Sequence, residues 1–200
     1  MAYTAPITFA TGRLVTAADW NTYVGDNIAY LYANVPASEF GVADILNNSN
    51  TETTFATITI PAGALGTTGG MMGESWFVWQ QSSGGAINYT WRLKLGATTI
   101  FAWTYSVTST ANLYTIGIRY AIGNMESASA QRAMAYIDLQ GPAAISQTTA
   151  NGLSGSYVMH NTAAENSANA LALAVTCQMA SASASAYIHH LGSRLFAPLT

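Results

Sequence analysis

The chain has 200 residues, half of them hydrophobic and only 8% charged, with a formal net charge of -3. That length can bury a real core in one large domain or a smaller one with an appendage, and six Lys and Arg spread singly supply no basic stripe for a phosphate backbone. Mean hydropathy is positive, yet no uninterrupted apolar run reaches the roughly eighteen residues of a spanning helix, so neither nucleic acid nor a membrane is expected as a partner.

Ala, Ser, Thr, Gly and Asn take the surface places that Lys and Glu usually fill, and a chain so poor in charge is ill suited to life as a free monomer. Met1 to Ala10 lacks the basic start and apolar stretch of a signal peptide, so the mature chain is expected to begin at or next to Met1. Cys177 is the single cysteine. In the run Leu171-Ala-Leu-Ala-Val-Thr-Cys-Gln-Met179 it reads as a small buried apolar residue, and no internal disulfide can form.

Tyr3 to Arg13, with Pro6, Gly12 and scattered Thr, suits an extended arm. Leu14 to Val35 is the one convincing helix. Thr16 caps its first turn and Asp19, three residues on, reaches back to the cap nitrogen. Apolar residues recur at Trp20, Tyr23, Val24, Ile28, Leu31 and Val35, which gives the helix one adhesive face, and Pro36 ends it. Val24, Ile28, Leu31 and Val35 follow four-and-three spacing, the seam of a short coiled coil whose β-branched members tolerate trimers. Fewer than three heptads cannot hold a coil unaided. The face packs either on its own β-domain or on copies of itself, and Trp20, Val24, Ile28, Leu31 and Val35 are the candidate anchoring and oligomer-interface residues.

Ala37 to Thr53 is a connection closed by the turn cluster Asn47-Asn-Ser-Asn50. From Thr54 the pattern changes to alternation, the mark of strands with one buried face. Strands are expected at Phe55 to Ile60, Met71 to Gln80, Asn88 to Leu95, Thr98 to Tyr105, Leu113 to Ile122, Arg132 to Leu139, Gly155 to His160, Ala170 to Gln178 and Ser185 to Phe196. Tyr89, Trp91, Leu93 and Leu95 share one face, with Thr90, Arg92 and Lys94 on the other, and Gly96-Ala97 turns that strand into a hairpin. Thr162 to Ala172 reads as loop entering a strand. The expected fold is mainly β: an antiparallel jelly-roll-like sandwich over 51–200, preceded by an N-terminal arm, helix and connection over 1–50.

No set of residues demands catalysis. His189 and His190 are adjacent, so in a regular strand they point to opposite faces and cannot chelate one ion. His160 has no ligand partner at a useful spacing. Glu74 and Asp138 are too distant in sequence to be paired by inspection. Gly152-Leu-Ser-Gly155 lacks the spacing of a nucleophile elbow, and Gly69-Gly70 and Gly84-Gly85 lack that of a phosphate loop. Trp76, Trp79, Tyr89, Trp91, Trp103 and Tyr105 are either a stacking platform for sugars or core, and the Leu residues sharing a face with Tyr89 and Trp91 favour core. Asn47-Asn-Ser49 and Asn88-Tyr-Thr90 fit the glycosylation pattern, but no secretion signal supports it. No enzyme activity, cofactor or metal is expected.

The stretch Thr11-Gly-Arg-Leu-Val-Thr-Ala-Ala-Asp-Trp-Asn-Thr-Tyr-Val-Gly-Asp-Asn-Ile-Ala-Tyr-Leu31 resembles the N-terminal segment of a group of tailed-bacteriophage virion proteins, with the pattern G-x-x-V/L-T-A-A-x-x-N-x-x-V-R-D-N-L-x-x-L. Gly12, Val15, Thr16, Ala17, Ala18, Asn21, Val24, Asp26, Asn27 and Leu31 match; Gly25 stands where the pattern has Arg, and Ile28 where it has Leu. Ile58-Thr-Ile-Pro-Ala-Gly-Ala-Leu-Gly66, Leu95-Gly-Ala-Thr-Thr-Ile100 and Ala180-Ser-Ala-Ser-Ala-Ser185 look like the β-sandwich that follows it in such proteins. The resemblance implies a non-enzymatic virion component, trimeric in many members, made in the host cytoplasm and contacting the major capsid protein or tail proteins. A short chain without a shaft favours head decoration, cement or head fibre. A tail-fibre or tail-tip module recognising a host surface glycan is the alternative.

Overall fold

The computed structural model of the protein describes residues 16–21, 24, 38–39, 45–107, 110–140 and 157–196. The chain divides by contacts into two compact units, Met1–Pro36 and Ala37–Thr200.

In the first unit, helix α1 spans Ala17–Trp20. Its start is built as the sequence requires. The Thr16 hydroxyl accepts from the Asp19 amide at 3.1 Å, while the Asp19 carboxylate accepts from the Thr16 amide at 3.0 Å. Two amides that would otherwise lack partners are thereby satisfied. Ile28, Leu31 and Val35, and the arm before Thr16, lie outside the described residues.

The second unit is a β-sandwich. Its strands are β1 (Ser38–Glu39), β2 (Ile45–Asn47), β3 (Thr53–Ile60), β4 (Gly70–Gln81), β5 (Ile87–Leu95), β6 (Thr98–Val107), β7 (Thr110–Asn124), β8 (Gln131–Gln140), β9 (Tyr157–Ala163), β10 (Leu171–Met179) and β11 (Ala186–Leu195). The larger sheet runs β1-β11-β4-β7-β8-β9, with β2 also on β11; the smaller runs β3-β10-β5-β6. All the pairings are antiparallel. The order β2-β11-β4-β7 opposite β3-β10-β5-β6 is that of a jelly roll, in which the chain passes between sheets in Greek-key fashion. Strands β8 and β9 extend the larger sheet beyond β7.

Nine of the strands fall where alternation predicts them, with ends shifted by a few residues. The two short ones, β1 and β2, lie inside the segment read as a connection; two and three residues are too few to show a period. Both pair with β11, as in Ser38↔Arg194 and Tyr187↔Asn47, contacts across most of the chain length that local sequence does not encode. The hairpin at Gly96-Ala97 forms as expected, joining Leu95 to Thr98. Gly96 takes φ +55°, where a side chain is strained, and a Cβ there would also meet the Glu165 carboxylate.

The core lies between the sheets. Phe77 of β4 packs edge-on to Phe55 of β3, with centroids 5.5 Å apart, and against Trp91 of β5 at 4.9 Å. Trp79 meets Tyr89 at 4.6 Å and Tyr114 at 5.8 Å. Each such ring removes a large apolar area from water, and the tilted contacts add the attraction of ring edge to ring face. On β7, Tyr114, Ile116, Ile118, Tyr120 and Ile122 all point inward, as their two-residue spacing requires.

One end of the sandwich is locked by a buried polar network. Asn124 donates to Gly66 O and Ser167 Oγ, both at 2.7 Å, and Gln131 donates to Asn124 Oδ1 at 2.8 Å. Gln131 in turn accepts from the Glu165 amide at 2.9 Å. The Glu165 carboxylate takes Ala97 N, Thr98 N and Thr98 Oγ1 at 3.1, 2.9 and 2.6 Å, which fixes the β5–β6 turn. Buried groups so fully partnered are a rigid structural closure.

Candidate functional site

The candidate anchoring residues divide by what is described. Trp20 is 60% exposed and Val24 half-buried, so the indole is presented outward from α1.

The six aromatics read as either platform or core separate by strand parity. Trp79, Tyr89, Trp91, Trp103 and Tyr105 are buried, whereas Trp76 is half-buried on the outer face of the larger sheet. Trp76 and Trp79 are three residues apart on one strand, so they must face opposite ways. That parity follows from the extent of β4. The histidines obey the same rule: His190 is buried against Phe77 and lies 2.8 Å from Ser193 Oγ, which donates to Ser75 Oγ at 2.7 Å. His189 is turned outward beside the Tyr187 ring at 4.9 Å. Among the described residues no group of three His, Cys, Asp or Glu could hold a metal ion, and no helix is long and apolar enough to cross a membrane. Gly152-Leu-Ser-Gly155 lies outside the described residues.

The outer faces of the two sheets differ in chemistry. On the smaller sheet the outward residues are polar, charged or alanine, without large apolar side chains. Thr90 and Thr104 share a hydrogen bond of 2.9 Å, and Glu52 lies beside Lys94 at 2.6 Å, Arg92 at 3.3 Å and the Thr176 hydroxyl at 2.5 Å. The hydrogen bond from Lys94, and then that from Thr176, hold the Glu52 carboxyl below its ordinary value. Gln178 completes the network, accepting from Arg92 and donating to Asn50 O. This is a solvated face.

On the larger sheet large apolar side chains stand outward among charged ones. Met72, Leu191, Met134 and Phe196 are 50%, 48%, 43% and 37% exposed. Between them Glu74 accepts from Arg194 Nε at 2.7 Å, with Arg119 Nε 3.9 Å away. Arg119 lies 5.5 Å from the Trp76 ring, and Arg194 stacks 4.8 Å above Phe196. Two shallow hollows flank β4. One is lined by Glu74, Trp76, Leu191 and Gly192, the other by Glu74, Arg119, Met134 and Phe196 among others. Glu74 and Asp138, the two acids considered for catalysis, both belong to this face, and Glu74 is engaged by arginine.

Burial, not reactivity, governs the inward titratable groups. It raises the Tyr89 phenol to about 12 and pushes the Tyr120 phenol and the Cys177 thiol further from ionisation. Cys177 is fully buried in β10, as its apolar setting predicts.

No protein-family model matches the chain, and no curated protein sequence matches it. Among solved structures the chain is similar to the CBM2 module of an evolved Dit protein of Lactobacillus casei BL23 phage J-1, at 14% identity over 83% of each chain and a TM-score of 0.34. It is also similar to lectin I-B4 of Griffonia simplicifolia, at 8% identity over 78% of this chain and 83% of the lectin, TM-score 0.33. A third similarity is to infectious bursal disease virus, Gx strain, at 12% identity over 82% of this chain and 42% of the viral chain, TM-score 0.31.

Proposed function

We propose that the chain is a non-enzymatic structural protein of a bacteriophage virion, a trimer of capsid-decoration, cement or head-fibre type. It is made in the host cytoplasm and held on the particle surface by its N-terminal arm and helix. The observation that carries the reading is the outer face of the larger sheet: a chain with 8% charged residues exposes Met72, Met134, Leu191 and Phe196 together on one face. Such a face is suited to being covered in an assembly. The resemblance of Thr11 to Leu31 to phage virion proteins supplies the particle. Glu52, Glu74 and Glu165, each tied to Arg, Lys or backbone amides, serve structure.

Purified virions carrying a label at this chain's C-terminus test it: electron microscopy is expected to find the label at the particle surface. Ile28→Asp with Leu31→Asp is expected to abolish incorporation while the β-domain stays folded. Absence of the chain from purified particles overturns the reading.

A second reading, a tail-fibre or tail-tip module recognising host surface carbohydrate, is favoured by Trp76, whose ring the sheet leaves on an outer face. Glycan arrays and tryptophan fluorescence with host polysaccharide decide it, and a flat response ends it.

A further inference from the structure

We propose that the outer face of the larger sheet, centred on β4, is the surface on which a second copy of this chain docks. The inference rests on the assembly reading above and specifies which surface carries it.

Three features of the face argue for a copy of itself. The first is shape. Leu191, Met72 and Met134 project beside the two hollows that flank β4. Apolar projections and recesses carried by the same molecule let copies seat against one another. The second is charge. Around β4 and β7 the face carries Arg119 and Arg194 against Glu74 and Asp138, with Arg132 at one margin. A neighbouring copy therefore meets nearly balanced charge, while an anionic polymer finds no basic field. The third is size. From β1 to β9 at about 4.8 Å per strand spacing, and along a twelve-residue β4 at about 3.3 Å per residue, the sheet spans on the order of 900 Å². A standard interface needs about 800 Å² per partner. The smaller sheet, faced with threonines and the Glu52 network, matches none of these and is left to solvent.

The inference is tested by sedimentation of the full chain at micromolar concentration. Wild type is expected to be a homo-oligomer. Met134→Glu with Leu191→Glu is expected to raise the dissociation constant at least a hundredfold, leaving a monomer with unchanged circular dichroism and Tm. Thr57→Glu with Thr59→Glu, on the outer face of the smaller sheet, is expected to change nothing. A monomeric wild-type chain overturns the proposal, as does a double variant that stays oligomeric. A wild-type monomer that still occurs in purified virions would sink this inference and the trimer, and leave the virion location standing. In that case, loss of particle binding by the double variant would assign the face to another virion protein. A fluorescence change with polysaccharide on a monomer would assign it to a glycan.

Discussion

The indole of Trp76 lies across the backbone of β7 at Gly117, so closely that a Cβ on Gly117 would stand 2.5 Å from ring carbon Cζ3. Both residues face outward, and the absent side chain lets the ring lie down on the sheet. A second glycine on the inward face is crowded in the same way: a Cβ on Gly73 would overlap the Tyr120 ring. The neighbours differ in freedom. Trp76 can tilt into solvent, whereas Tyr120 is 4% exposed and held in the core. Gly117→Ala is therefore expected to cost about 1 kcal/mol, and Gly73→Ala about 3 kcal/mol, the two ends of the usual overpacking range. Urea denaturation of both variants checks the order, and equal costs would contradict it.

Phe77 is fully buried between Phe55 and Trp91, one from each of two strands of the opposite sheet. Phe77→Ala leaves a cavity that neither strand can close, and is expected to cost about 3–5 kcal/mol. Trp76→Ala, on the outer face of the same strand, is expected to cost the isolated chain far less and to weaken self-association instead. Chemical denaturation and sedimentation on the two variants separate the roles.

The Glu52 carboxyl is held below its ordinary 4.5 by the hydrogen bonds from Lys94 and Thr176. A carboxyl depressed in the folded state stabilises above its unfolded value, and that stabilisation is lost as pH falls through the folded value. Acidification below about pH 4.5 is expected to lower Tm more in wild type than in Glu52→Gln. Both cations are partly exposed, so added salt shrinks the difference. Parallel melting curves of wild type and variant across this range settle it.

Tyr89 is raised from 10.0 to about 12 by burial. Its contribution is whole below the unfolded value and disappears as pH climbs from 10 towards 12, because the unfolded chain ionises first. Tyr89→Phe is expected to move the alkaline unfolding midpoint upward while leaving the fold intact near neutrality. An unmoved midpoint in a pH titration followed by circular dichroism would assign the alkaline transition to other groups, Tyr120 first among them.

Much of the fold was legible because its signals are local. The Thr16 and Asp19 capping box needs three residues, and the alternation from Tyr89 to Leu95 needs seven; each is a short-range steric or hydrogen-bonding preference that survives removal from context. The opposed faces of His189 and His190 follow from the same two-residue period, even though β11 carries a bulge just beyond them, between His190 and Gly192. The candidate site was less legible. Composition alone groups Trp76 with Trp79, and only parity on β4 distinguishes them. Nothing in the sequence marks where the two hollows beside β4 lie.

Alternation within each long strand places nine of the described strands and the side chains they turn inward, because each such strand writes its own pattern. The scarcity of charge that suits a covered face is a property of composition. That β2 and β1 close on β11, that β3 lies beside β10, and that the larger sheet carries Met72, Met134, Leu191 and Phe196 on its outer face are set by tertiary pairing. Those outcomes depend on pairing segments more than a hundred residues apart, where two faces of similar composition are told apart only by which of them the opposite sheet covers.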